Sequence, residues 1–293
     1  MNNVDKQYLD LCKDIIDNGK VRSDRTGTGT ISVFDRHMRF DLTEGFPLLT
    51  TKFVPFRVTA VELLWFLSKS DDIKYLLDNN VHIWDDDAYR FYLEQGGELN
   101  KEDFLKYAQE HGFSLNGVYG VQWRNWNEEG IDQINNIIET IKKDPDSRRL
   151  VLSAWNPSVV DKVALPSCHC LVEFYVEEGK LSCKFTMRSN DIPLGNPINI
   201  ASYALLTHII AKMTDLEVGD LSYSGGNVHV YLNQVEGILE QLKREPYDLP
   251  QLIVKTKHDD ISKYTLDDFE LVGYKHHPRI KFPLSVGLKE ESK

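Results

Sequence analysis

The stretch LPSCHCLVEFYVEEGKLSCKFTMRSND, residues 165–191, decides how the chain is read. Its apolar runs CLVEFYV and KLSCKFTMRS are joined by EEGK, where Gly179 suits a tight turn, so the segment predicts a β-hairpin. It opens on two cysteines flanking a histidine. A free cysteine packs like a small hydrophobe, and packing is the first reading of Cys168 and Cys170. A metal reading is weak. On a strand, neighbours face opposite ways, so at most two of Cys168, His169 and Cys170 share an ion, and no CxxC or HxxxH partner follows.

Upstream, residues 4–18 read as an amphipathic helix closing near Asn18-Gly19, followed by a Gly/Thr loop and alternating strands through SDRTGTGTISVFDRHMRFDL. FRVTAVELLWFLSKS (56–70) has the spacing of a core helix. Residues 86–117, polar with some helical period, read as a peripheral insertion. A further helix ends before Asp144-Pro145, and LVLSAWNP is then a strand. Downstream, NIASYALLTHIIAKMTDL predicts a buried helix and LSYSGGNVHVYLN a strand with a loop. Helices and strands mix without regular βαβ alternation, so the expected fold is α+β, one domain over 1–293, with a large mixed sheet flanked by helices.

The chain has 293 residues, 41% of them hydrophobic, which suffices for a substantial core. No apolar run approaches the roughly 20 residues a bilayer crossing needs. The charged, helix-like first residues lack the apolar stretch of a secretion signal. Four scattered cysteines do not make a disulfide scaffold, so a reducing, cytoplasmic setting is expected. The net charge of −11 disfavours nucleic acid as a partner, although a few converging arginines can still hold a small anion.

The sequence supplies candidates for such arginines. Arg148 and Arg149 precede the hairpin, Arg188 ends it, and Arg25 lies in a glycine-bearing loop whose amides can approach an anion. A long cationic side chain alone is ordinarily a solvated surface charge. Cysteine chemistry needs a thiolate, scarce at neutral pH, and nearby positive charge raises its fraction. A serine-hydrolase elbow, a Walker loop and a dinucleotide fingerprint are absent from the sequence.

The ordered motifs DRTGTGT, GFPLLTTK, ELLWFL, HIWD, VYGVQWR, DSRR, SAWNP, LPSCH, RSND, LGNP, NIASYALLTHIIAKM, GGNVHVY and HHPRIKFP together resemble the thymidylate synthase family over nearly the whole chain. The resemblance implies a cytosolic homodimer packed through its sheets, with methylenetetrahydrofolate as cosubstrate, dUMP as substrate and no metal. It implies Cys168 as nucleophile, adding to C6 of the pyrimidine so that C5 can attack the folate one-carbon unit. Arg25, Arg188 and Ser189 would hold the dUMP phosphate, with Arg148 and Arg149 donated by the partner subunit. Asn199 would read the pyrimidine edge, and His229 and Tyr231, two apart on a strand, the sugar hydroxyl. A helix-capping asparagine is the compatible plain reading of Asn199. Glu62, a carboxyl inside an apolar helix, and Tyr119 would handle protons. Ile83, Trp84, Asp191, Leu194 and Gly195 would form the folate wall, and Lys52 would meet its glutamate tail.

Several positions depart from the family pattern. Met187 stands where a glutamine is common, Ile198 for a phenylalanine, and Asp87 for a second tryptophan. The family ordinarily ends where this sequence reads PLSV; here 287–293 continue, so Val286 has no terminal carboxylate to seal the site. A dUMP hydroxymethylase shares the first half of the mechanism and then lets water attack, so water exclusion separates the two activities. A non-catalytic relic binding RNA or a partner is disfavoured because the catalytic positions carry competent residues.

Overall fold

The computed structural model describes residues 2–285. The hairpin forms as its pattern dictates: β4 (His169–Glu177) and β5 (Lys180–Asp191) pair antiparallel with Glu177 opposite Lys180. Glu178 and Gly179 between them both adopt positive φ, 49° and 75°, the two-residue turn whose twist matches the strands. Beside β5 runs β6 (Glu217–Tyr231), parallel to it, and β2 (Thr30–Asp41) pairs antiparallel with β6. The short strands β1 (Lys20–Arg22) and β3 (Val151–Ser153) close the edges in the order β1-β2-β6-β5-β4-β3. This is the mixed sheet of an α+β domain.

The parallel step from β5 to β6 needs a crossover, and α8 (Gly195–Met213) provides it. Its residues are apolar nearly all round, and Ala204, Leu205, Leu206, Ile209 and Ile210 are wholly buried. Against it packs α2 (Phe56–Leu67), while α1 (Asn3–Asn18) lies over β2. The smaller helices are α3 (Lys74–Asp78), α4 (Asp85–Glu94), α5 (Lys101–His111), α6 (Tyr119–Arg124), α7 (Gln133–Lys143) and α9 (Val235–Gln241). A separate ribbon pairs β7 (Gln251–Val254) with β8 (Phe269–Val272). Among the described residues no helix is long and apolar enough to cross a membrane.

Three sequence expectations need correction. LSYSGGNVHVYLN is not a strand plus loop: β6 runs unbroken through Gly225-Gly226. Those glycines answer a close approach, since a Cβ at 225 would lie 2.6 Å from a Val228 methyl and one at 226 would lie 3.1 Å from the Arg188 carbonyl oxygen. LVLSAWNP shortens to the three residues of β3, because the Cys170 carbonyl already takes the amides of both Ala154 and Trp155. Residues 86–117, expected as a peripheral insertion, contribute in part to the core. Phe104 of α5 is wholly buried, stacked 4.6 Å from Tyr92 and edge-on to Phe113 at 5.0 Å, and belongs to the main core.

The joint between α1 and the 50–52 loop rests on one carboxylate. Asp5, fully buried, accepts from the amide and hydroxyl of Thr50 (3.0 and 2.7 Å), from those of Thr51 (3.0 and 2.6 Å) and from the Asn2 amide at 2.8 Å. Removing it strands several buried donors at once. Asp5→Ala therefore lowers unfolding free energy by roughly 3 kcal/mol or more, read by urea denaturation; a loss under about 1 kcal/mol contradicts this account.

Candidate active site

A cavity of about 1190 Å³ opens where the C-terminal ends of β5 and β6 meet the 22–30 loop and α4. Cys168, Arg25, Arg188, Ser189, Asp191, His229 and Tyr231 line it, so seven of the residues singled out in the sequence converge on one space. The convergence follows from register. Ser189 and Asp191 alternate on β5, and Asp191 lies opposite His229 in the parallel ladder with β6.

Cys168 immediately precedes β4 and is half-buried. Arg188 is bound to the same segment. Its Nε donates to the Ser167 carbonyl and its Nη2 to the Pro166 carbonyl, both at 2.8 Å, and Nη2 lies 3.8 Å from the Cys168 sulfur. The guanidinium also sits over the Trp155 ring, 5.4 Å from its centroid. Burial pushes the Cys168 thiol up, the Arg188 and Arg25 charges pull it back down, and Cys170 and Asp87 push it up again. Cys170 does not line the cavity. A ladder irregularity between His169 and Leu171 breaks simple alternation there.

Behind the thiol, Tyr119 accepts the Cys168 amide at 2.7 Å and stacks on His169 with centroids 3.9 Å apart. His169 in turn pairs with the Tyr203 hydroxyl at 2.6 Å, and burial lowers its pKa to about 3, which makes it a neutral structural ring. Among the described residues no group of three His, Cys, Asp or Glu side chains could hold a metal ion. Glu62, on α2, accepts the Trp84 indole N–H at 2.7 Å. Desolvation raises its pKa to about 7 despite that bond.

Asp191 accepts from the Leu194 amide and from Gln234, both at 3.3 Å, and desolvation raises its pKa to about 6. His229 bonds Asn227 through Nδ1 at 3.0 Å, and burial lowers its pKa. Asp24 shapes the Arg25 loop by accepting from Thr26 (amide 2.9 Å, hydroxyl 2.6 Å) and from the Gly29 amide at 2.7 Å. Thr28 donates to Ser285 at 3.1 Å, which brings the chain's last described residues to the cavity.

Other expected residues lie outside the cavity lining. Lys52 is buried, donates to the Pro193 carbonyl and lies over the Phe282 ring, and desolvation lowers its pKa to about 8. Arg148 and Arg149 are exposed just before β3. Ile83 is exposed, Trp84 is buried on Glu62, and Leu194 and Gly195 carry the chain from Asp191 into α8. Asn199, in the first turns of α8, is reached through Asn190, whose amide donates to its Oδ1 at 3.3 Å. Val286 and the 287–293 extension lie outside the described residues.

Sequence reasoning missed Arg90, Asn190, Asn196 and Gln234. Arg90 spans from α4 to the Ala164 carbonyl at 2.7 Å while pairing with Asp87 at 3.1 Å. Its signal was the i, i+3 charge pair, which is common on solvated helices. A protein-family model, Thymidylate synthase, matches residues 6–286 of this chain.

Glu62 gives the site a measurable pH signature. Its carboxyl titrates near 7 in the folded chain against an ordinary 4.5, so its stabilising contribution is complete below about pH 4.5 and lost as pH rises through 7. Glu62→Gln removes that decline, and its stability gain over the wild type grows by on the order of 3 kcal/mol between pH 4.5 and 8. Urea unfolding across that range checks it; a gain independent of pH contradicts it.

Proposed function

The chain belongs to the thymidylate synthase family, whose members carry a folate-borne one-carbon unit to C5 of dUMP, and from that premise we propose that it methylates dUMP to dTMP through a covalent Cys168 adduct. The observation that carries the reading is the 3.8 Å approach of Arg188 to the Cys168 sulfur inside a cavity shared with Arg25, Ser189, His229 and Tyr231.

In this reading Arg25 and Arg188 neutralise the substrate phosphate, with Ser189 adding a hydroxyl and Arg148 and Arg149 arriving from a second copy of the chain. The exposure of both arginines, and of Phe34 (78%) and Tyr175 (60%) on the sheet, supports a homodimer packed sheet to sheet. His229 and Tyr231 take the sugar hydroxyl, and Asn199 takes N3–H and O4 of the base. The Cys168 thiolate then adds to C6, and the electron pair displaced from the C5–C6 bond makes C5 nucleophilic. Glu62, neutral or ionised near pH 7, relays protons at O4, and Tyr119 holds the Cys168 backbone and shares that network.

The size of the cavity supports a cosubstrate bound beside the nucleotide. At about 1190 Å³ the cavity exceeds the usual span of a single small-ligand site, and Asp191, partly protonated with a pKa of about 6, offers a carboxyl to a heterocycle. Methylenetetrahydrofolate supplies the one-carbon unit and, for methylation, the hydride. A cytoplasmic location accords with four free cysteines.

Hydroxymethylation is the second reading, and one observation favours it. Asp87, a carboxylate paired with Arg90, lines the same cavity as Cys168 and offers a polar anchor for water.

Mass analysis of the product from dUMP and methylenetetrahydrofolate tests both. A methyl product formed with dihydrofolate is expected; a hydroxymethyl product formed with tetrahydrofolate transfers the assignment to the second reading. Cys168→Ser is expected to bind dUMP normally while losing turnover by roughly three orders of magnitude or more. Retained turnover removes the nucleophile assignment.

A further inference from the structure

Asn196 and Asn199 stand three residues apart at the start of α8, and both engage Asn190 of β5. The Asn196 Nδ2 donates to Asn190 Oδ1 at 2.7 Å, and the Asn190 Nδ2 donates to Asn199 Oδ1 at 3.3 Å. The chain of amides is dry at its far end: Asn196 is fully buried and Asn190 is 3% exposed, while Asn199 is half-buried. Gly195 packs directly over the second link, since a Cβ there would lie 3.5 Å from Asn199 Oδ1 and 3.6 Å from Asn190 Nδ2.

A carboxamide reads a pyrimidine edge in two ways. In one orientation it accepts from N3–H and donates to O4 of uracil; turned over, it donates to N3 and accepts from the amino group of cytosine. A freely turning asparagine therefore accommodates both bases. We propose that Asn190 is a specificity-positioning residue that holds the Asn199 amide in the orientation matching uracil and opposes the one matching cytosine. The proposal rests on the base-reading role of Asn199 given above.

Turning Asn199 alone sets its NH₂ against the Asn190 NH₂, losing a hydrogen bond and leaving two donors facing in a nearly dry site. Asn190 cannot follow without breaking its bond to Asn196, which is sealed in the core. Reversal of Asn199 thus breaks one of the two bonds unless all three amides turn together, and the innermost of them, Asn196, has no exposed surface in which to turn. The acceptor on Asn199 keeps a second lone pair, so the link to Asn190 leaves it competent to take N3–H. Asn190 lies between Ser189 and Asp191, both of which line the cavity, so the device sits one residue behind the substrate surface.

The test is equilibrium binding of dUMP and dCMP, measured by titration calorimetry on the full-length protein. Asn190→Leu keeps the volume and removes both bonds; its preference for dUMP over dCMP is expected to fall roughly tenfold, the scale of one buried hydrogen bond. Asn190→Asp, which can only accept when ionised, draws the Asn199 NH₂ toward itself and shifts preference further toward dCMP. If neither variant folds, Asn196→Ala removes the outer link and is expected to lower the preference about threefold, a smaller share of the same hydrogen-bond effect. A folded Asn190→Leu, or in its place Asn196→Ala, with the wild-type ratio overturns the proposal. Asn199→Ala separates the two layers. If it too keeps the wild-type ratio, the base-reading role itself fails; if it loses the ratio while Asn190→Leu keeps it, only the positioning role fails.

Discussion

The site depends on one guanidinium being held still. Arg188 lies near the end of β5 yet directs its donors to the carbonyls of Pro166 and Ser167, which belong to the segment ahead of β4. Those bonds fix the charge 3.8 Å from the Cys168 sulfur and tie the irregular start of β4 to the end of β5. Burial works against a thiolate here and a fixed neighbouring cation works for it, so the position of this arginine bears directly on the ionisation of the cysteine. Trp155 beneath the guanidinium limits its freedom further.

Around that centre the fold keeps three ionisable groups largely out of water. Glu62 near pH 7, Asp191 near 6 and Lys52 near 8 are all displaced toward neutrality by desolvation. Each is fastened to a different element: Glu62 to Trp84, Asp191 to Gln234 and the Leu194 amide, Lys52 to the Pro193 carbonyl. Groups poised near neutral pH are suited to passing protons. Asp5 contributes at a distance, since its clamp on Thr50 and Thr51 fixes the approach of Lys52.

Much of this was legible in the sequence because it was local. The hairpin was written in two apolar runs and a glycine turn, and α8 in an apolar run of helical length. The pairing of His229 with Tyr231 on one face followed from a two-residue spacing. What escaped was long-range or hidden by composition. Gly225 and Gly226 looked like a loop, although they mark strands in close approach. Residues 86–117 looked peripheral because their apolar side is narrow, yet Phe104 is buried and Arg90 reaches the cavity. Lys52 carries no sequence mark that it turns inward, and the Asn190–Asn196 bond joins a strand to a helix that periodicity treats separately.

The hold of the Arg188 charge on the Cys168 thiol can be measured at the sulfur itself. Alkylation of Cys168 by iodoacetamide is followed by peptide mass spectrometry as a function of pH, in the wild type and in Arg188→Gln. Removing the cation leaves burial opposed only by the weaker pull of Arg25, so the midpoint of the variant moves to higher pH and its labelling at neutral pH slows. An unchanged midpoint in a folded Arg188→Gln protein contradicts the account.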